Sequence, residues 1–165
     1  MAIRSLAVYG PPGLREELKP HIARACEFIR AASPASTQDE AFKLLGLVWC
    51  RVPSATISAQ AKRLMALQRD DGGWAQLSTM STDAYATGEA LHALHASGMS
   101  ATNRVYQRGT EYLLRTQLED GTWFVRSRAF GFQPYFETGF PHGKDQFISA
   151  SATSWAAIAL AHTLR

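Results

Sequence analysis

Long apolar runs and blocks of like charge are both missing from this sequence. No stretch approaches the ~20 apolar residues that a membrane span requires, so no transmembrane segment is expected. Lys and Arg never exceed two in a row, and seventeen basic against fourteen acidic side chains leave a formal charge of +3. That balance lacks the clustered positive footprint of a nucleic-acid binder, and no nucleic-acid partner is expected. The N-terminal MAIRSLAVYGPPG has one early arginine but neither a long apolar block nor a small-residue cleavage site. It argues against a signal peptide and for a soluble chain. The GPPG at Gly10–Gly13 is not followed by Gly-Lys-Ser/Thr, so it lacks the groups that cradle phosphate and reads as a turn. Cysteine is scarce. Cys26 and Cys50 fall in helical runs and read first as two small buried residues, with a bridge between them, and the compartment, left open.

Strand-like alternation is absent too, which points to an all-α fold in a single domain of 165 residues. Residues 1–13 read as a flexible lead. Helices are expected over about 14–32, with Leu18, Ile22, Cys26 and Ile29 on one face and a kink or later start at Pro20. A second helix starts with Thr37 as cap and Glu40 completing a capping box, and runs to Pro53. Further helices are expected over about 54–68, 82–97 (capped by Ser81 or Thr82), 103–117 and 147–164. They group as hairpins 14–53, 54–98 and 103–165.

The stretch RGTEYLLRTQLEDGTW, Arg108–Trp123, organises the chain: a helix end, Gln117, an Asp120-Gly121 turn, then Trp123. The same signature occurs 49 residues earlier in KRLMALQRDDGGW, where Gln68, Gly72 and Trp74 match Gln117, Gly121 and Trp123. Repeats at this period suggest stacked helical hairpins. Arg108–Trp123 resembles the QW motif of the squalene and oxidosqualene cyclases: basic residue, Gly, two residues, aromatic, aliphatic, three residues, Gln, then Gly-x-Trp. The earlier stretch matches in part, with Ala59, Gln60 and Arg63 at the basic, small and aromatic positions.

The resemblance implies the α/α toroid of the cyclase and prenyltransferase superfamily, here as a partial ring of about three hairpins. Ala- and Ser-rich helices would form its inner wall, with Thr87 aligned on Thr153, Ala90 on Ala156 and Leu94 on Leu160. Half a ring implies a partner, either the remainder of the toroid on a missing domain or a second protomer. The segment between Trp123 and the last helix is about 17 residues longer than the first repeat would require, and rich in aromatics (Phe124, Phe130, Phe132, Tyr135, Phe136, Phe140). Its Thr138-Gly139-Phe140-Pro141 resembles the closing segment of squalene-hopene cyclases.

The cyclases' acidic Asp-x-Asp-Asp is missing, as is the Asp-Asp-x-x-Asp of magnesium-dependent synthases; Asp70-Asp71 belongs to a turn. Where the related prenyltransferases bind zinc through Asp-x-Cys, this chain has Asp83-Ala84-Tyr85, with no histidine near Ala152. No metal and no cofactor are expected. Tyr85, Glu89 and His92 share one face of the fourth helix, Trp155 takes an equivalent place on the sixth, and Glu89–His92 has the spacing of a proton-transfer pair. With Asp83 they would line a cavity, with Phe140, His142 and Asp145 at its mouth. The expected function is an apolar cavity for an isoprenoid or lipid-like molecule, not catalytic on its own. Two alternatives stand beside it: a protein- or glycan-interaction module, and the C-terminal part of a cyclase whose acid lies on another domain or chain.

Overall fold

The computed structural model describes residues 2–128 and 135–164. Among the described residues the protein is all-helical, with seven α-helices and no strand. They are α1 (Ala2–Tyr9), α2 (Arg15–Ala31), α3 (Thr37–Trp49), α4 (Ser54–Met65), α5 (Ala84–Ala96), α6 (Arg104–Thr116) and α7 (Gln146–Ala161). The lead expected to be flexible carries helix α1 and a 3-10 turn at Pro12–Leu14. Ile3 is buried, and that anchors α1 on the body. Helix α2 runs unbroken through Pro20.

Helix α5 is the centre of the packing, with α3 on one side and α7 on the other, while α2 and α4 pack against α3 and α6 against α5. Its sequence explains this. Ala84, Ala86, Gly88, Ala90 and Ala93 keep the helix thin, and Leu91 and Leu94 fill the gaps between neighbours. At Gly88 an added Cβ would sit 2.5 Å from the Trp155 carbonyl carbon, so the α5 and α7 backbones approach as closely as glycine permits. Fully burying a leucine is worth about 2 kcal/mol, and Leu44, Leu64, Leu91, Leu94 and Leu113 are all sealed from solvent. Helix α7 differs from α5: it buries only the stripe Gln146, Ser149, Ala152, Ala156 and Ala159. Its other flank exposes Phe147 and Ile158. The span Gly143–Leu164 is also apolar and long enough to cross a membrane by length and composition, with mean hydropathy 1.2.

Helix ends differ from expectation by a residue or two. The cap of α3 is Ser36, whose hydroxyl accepts from Asp39 N at 3.1 Å, not Thr37. Thr37 instead donates to the Ala75 carbonyl at 2.5 Å. Glu40, expected in the capping box, turns toward α4, where Arg63 Nη2 lies 3.0 Å away and Gln60 donates to its carboxylate. Asp83, not Ser81 or Thr82, caps α5, accepting from Ala86 N at 2.9 Å. Lys43 of α3 reaches across to the last carbonyls of α2, 2.6 Å from Ala32 O, a cation at a helix C-terminus.

Cys26 and Cys50, read first as two small buried residues with their pairing left open, form a disulfide between the middle of α2 and the end of α3, with Cα atoms 5.8 Å apart. Helical spacing in each segment could not show that the hairpin brings the two together. Bridges of this kind persist in oxidising surroundings. The bond closes a loop of 24 residues, and loop-closure entropy alone puts its contribution at about 3 kcal/mol. The Cys26→Ser/Cys50→Ser variant should lose about that much in urea unfolding, and adding reductant to the native chain should reproduce the loss. An unchanged midpoint in both experiments would show that the bridge does not constrain the unfolded chain.

Candidate functional site

The two Gln–Trp turns share one hydrogen-bond pattern. In the first, Trp74 Nε1 donates to Leu64 O at 2.8 Å and Gln68 Nε2 to Gly72 O at 2.8 Å. In the second, Trp123 Nε1 donates to Leu113 O at 2.9 Å and Gln117 Nε2 to Gly121 O at 3.0 Å. Asp71 and Asp120 each accept from the backbone N–H two residues on. The backbone N–H of each tryptophan donates to a threonine hydroxyl on the following helix, Thr87 at 2.9 Å and Thr153 at 3.1 Å. Each indole thus satisfies a carbonyl in the last turn of one helix while its backbone ties the chain to the next. Gly72 and Gly121 both take positive φ, +92° and +81°, which the turn requires.

The turns differ in what covers them. Over the first lies α6. Gln68 Nε2 donates to Val105 O at 2.8 Å, Arg108 to Arg69 O and Asp70 O at 2.8 and 2.9 Å, and Arg115 to Asp71 O at 3.0 Å. A Cβ on Gly72 would stand 2.5 Å from Arg108 O, whereas around Gly121 the nearest atom is Gln117 Nε2 at 4.0 Å. The sequence held a signal for this clamp in the Arg108-Gly109 pair, which the first repeat lacks.

The predicted cavity-lining residues converge, but on one another. Gln38 Nε2 donates to Tyr85 Oη at 3.0 Å and to Glu89 Oε1 at 3.2 Å, and Gln76 donates to Gln38 Oε1 at 3.0 Å. Glu89 is 2% exposed and its second oxygen has no partner among the described residues. Burial raises its carboxyl to about 7, against smaller opposing contributions from Tyr85 and Gln38. Burial and the Glu89 charge together push the Tyr85 phenol up. His92 packs on Trp155 with ring centres 5.6 Å apart, and Trp155 meets Phe42 edge-on. Burial, then His95 and Arg4, lower the His92 pKa. His95 and His162 stack on each other with ring centres 3.9 Å apart, beside His92 and Tyr106. Sequence spacing gave no hint of Gln38 and Gln76, because they come from other segments.

The remaining predicted residues sit at the far end of α5 and α7. Asp83 caps α5, pairs with Arg128 and borders an open groove of about 510 Å³. Asp145 accepts from Ser127 N at 2.7 Å. His142 Nε2 meets Thr122 Oγ1 at 2.8 Å, and Phe124 and Phe140 lie edge-on to its ring. Phe124, Tyr135 and Phe136 are each more than half exposed; Phe130 and Phe132 lie outside the described residues. Other surface grooves, of about 560 and 420 Å³, are lined by residues of α1–α3, of the 32–36 connection and of the 66–69 and 75–78 segments.

No protein-family model matches the chain, and no curated protein matches it either. What the fold and site define is an all-helical protein carrying two copies of one Gln–Trp turn and a buried Gln–Tyr–Glu cluster.

Two predictions follow from this geometry. Gly121→Ala should cost about 1 kcal/mol from left-handed strain alone, whereas Gly72→Ala adds a backbone clash and should cost about 3 kcal/mol or more. Equal costs in urea unfolding would mean that the two turns are equally free. For Glu89, the folded carboxyl holds its proton between the ordinary 4.5 and about 7, where the unfolded chain has lost it. Stability from this group is therefore full below pH 4.5 and lost as pH rises through 7. Between pH 5 and 8 the native chain should lose about 2–3 kcal/mol relative to Glu89→Gln; parallel curves would refute the shift.

Proposed function

We propose that this chain is an arc of a squalene-cyclase-like α/α toroid that serves as an interaction module and does not catalyse a reaction by itself. The observation that carries the proposal is the unequal burial of two equivalent helices. Helix α5 is enclosed on all sides, while α7, with the same small-residue pattern, buries one stripe and leaves its other flank bare. A helix thinned for close packing on both sides has a partner on one side only. Exposed Phe124, Tyr135 and Phe136 add side chains favoured at interfaces, and Tyr135 and Phe136 are held to the first residue of α7 through Gln146. The isoprenoid-cavity reading has less behind it, because Tyr85, Glu89, His92 and Trp155 pack on one another, and a buried carboxyl suits no hydrocarbon.

A photo-crosslinking amino acid placed in cells at Ser154 or Ile158 tests this directly. Adducts are expected from those positions and not from exposed Glu27 on α2; equal yields, or none, would sink the interaction reading. Titration with squalene should leave the tryptophan fluorescence unchanged. Saturable quenching would restore the apolar-ligand reading in its place.

A further inference from the structure

The paired turns say which kind of partner the bare edge takes. In the first turn, three backbone carbonyls (Arg69, Asp70 and Asp71) are held by Arg108 and Arg115 of α6, and the Gln68 amide reaches Val105 O. Gly109 lets α6 settle onto Leu91 and the first turn's indole, since a Cβ there would stand 2.8 Å from Leu91 Cδ2 and 3.1 Å from Trp74 Cζ3. The corresponding groups of the second turn are the Leu118, Glu119 and Asp120 carbonyls and the Gln117 amide. Leu118 O, like Arg69 O, accepts the turn's own glycine N–H. Among the described residues no side chain reaches any of the three carbonyls, and the Gln117 amide bonds only within its turn. The backbone that crowds Gly72 has no counterpart over Gly121.

The opening Arg-Gly of the second repeat therefore serves the turn before it and not its own. The first repeat has Ala59-Gln60 there, and no Gln–Trp turn precedes α4. One rule accounts for both: a helix carries Arg-Gly followed by Arg six residues after the glycine when it lies over such a turn.

We infer that the second turn and the open flank of α7 form a docking site for an α-helix carrying Arg-Gly-x5-Arg, supplied by another polypeptide segment. The partner's two arginines bind the Leu118–Asp120 carbonyls, and Gln117 donates to a carbonyl three residues before the first arginine. Its glycine lies over Trp123. A second copy of this chain does not supply the helix, because Arg-Gly-x5-Arg occurs only in α6, which is committed to its own first turn. This rests on the interaction reading above and narrows it to one partner chemistry.

The test uses a blocked peptide of residues 102–117, the chain's own α6, titrated to millimolar concentration into the isotope-labelled protein. Amide shifts are expected at 117–123 and along α7, with 68–74 unmoved. A peptide with both arginines replaced by alanine should bind at least about tenfold more weakly, as expected for charge-assisted bonds to carbonyls. Gln117→Ala and Ala157→Arg should weaken binding of the native peptide to a similar degree. Both sites are exposed, so circular dichroism should show the fold unchanged. No shift at 117–123, equal binding of the alanine peptide, or shifts confined to 68–74 would overturn the inference. Sedimentation with 3:1 phosphatidylcholine–phosphatidylglycerol vesicles in the absence of peptide binding would overturn it too, assigning α7 to a lipid surface. Crosslinks from Ser154 that persist while the peptide fails would leave the interaction reading standing and remove only the arginine-helix partner.

Discussion

A helix that stops inside a protein leaves carbonyls with nothing to accept, and hiding them costs roughly what a lost hydrogen bond costs. This chain meets that demand twice with an indole N–H, from Trp74 to Leu64 O and from Trp123 to Leu113 O. The ring that makes the bond is itself almost fully buried, so one side chain supplies both apolar area and a short bond to a carbonyl that otherwise accepts only a longer one, from Leu67 N at 3.2 Å or Thr116 Oγ1 at 3.3 Å. Because the tryptophan backbone is also tied to Thr87 or Thr153, the end of one helix is fastened to the body of the next. The angle between layers is therefore set at the turns, and the small-residue helices pack within that frame.

Close packing has a polar consequence. With α3 and α5 brought together by alanines, Glu89 is buried in a network with Tyr85, Gln38 and Gln76. A carboxylate there is costly without full pairing, and its pKa rises instead. The cluster is a network that fixes how α3 and α5 face each other, with proton uptake as its by-product. On the other side of α3, the Cys26–Cys50 bridge and the reach of Lys43 to the end of α2 hold the outer helix in place.

Identical turns have unequal surroundings, and this is the main functional clue. Local hydrogen bonds are the same in both repeats, so the difference between a covered Gly72 and an open Gly121 belongs to the packing of whole helices. An arginine on the next helix is what turns a local clasp into a link between repeats.

Much of this was legible without coordinates. The existence and approximate extent of α2–α7 follow from the spacing of apolar residues and from Pro and Gly punctuation, whereas α1 did not stand out from the lead. The Gln–Trp turns follow from a repeated motif whose chemistry is local: three residues separate Gln from Gly in both. The pairing of Thr87 with Thr153 was also readable, since both stand at the same place in two similar helices. The disulfide was not, nor the Gln38–Glu89 cluster, the stacking of His95 on His162, or the choice of Ser36 over Thr37 as cap. Each of these joins residues from separate segments, or depends on which neighbour claims a side chain, as Ala75 claims Thr37. Periodicity records what a residue can do within its own helix. Whether α7 would be enclosed like α5 or left bare depends on which helices stand beside it, and only tertiary packing decides that.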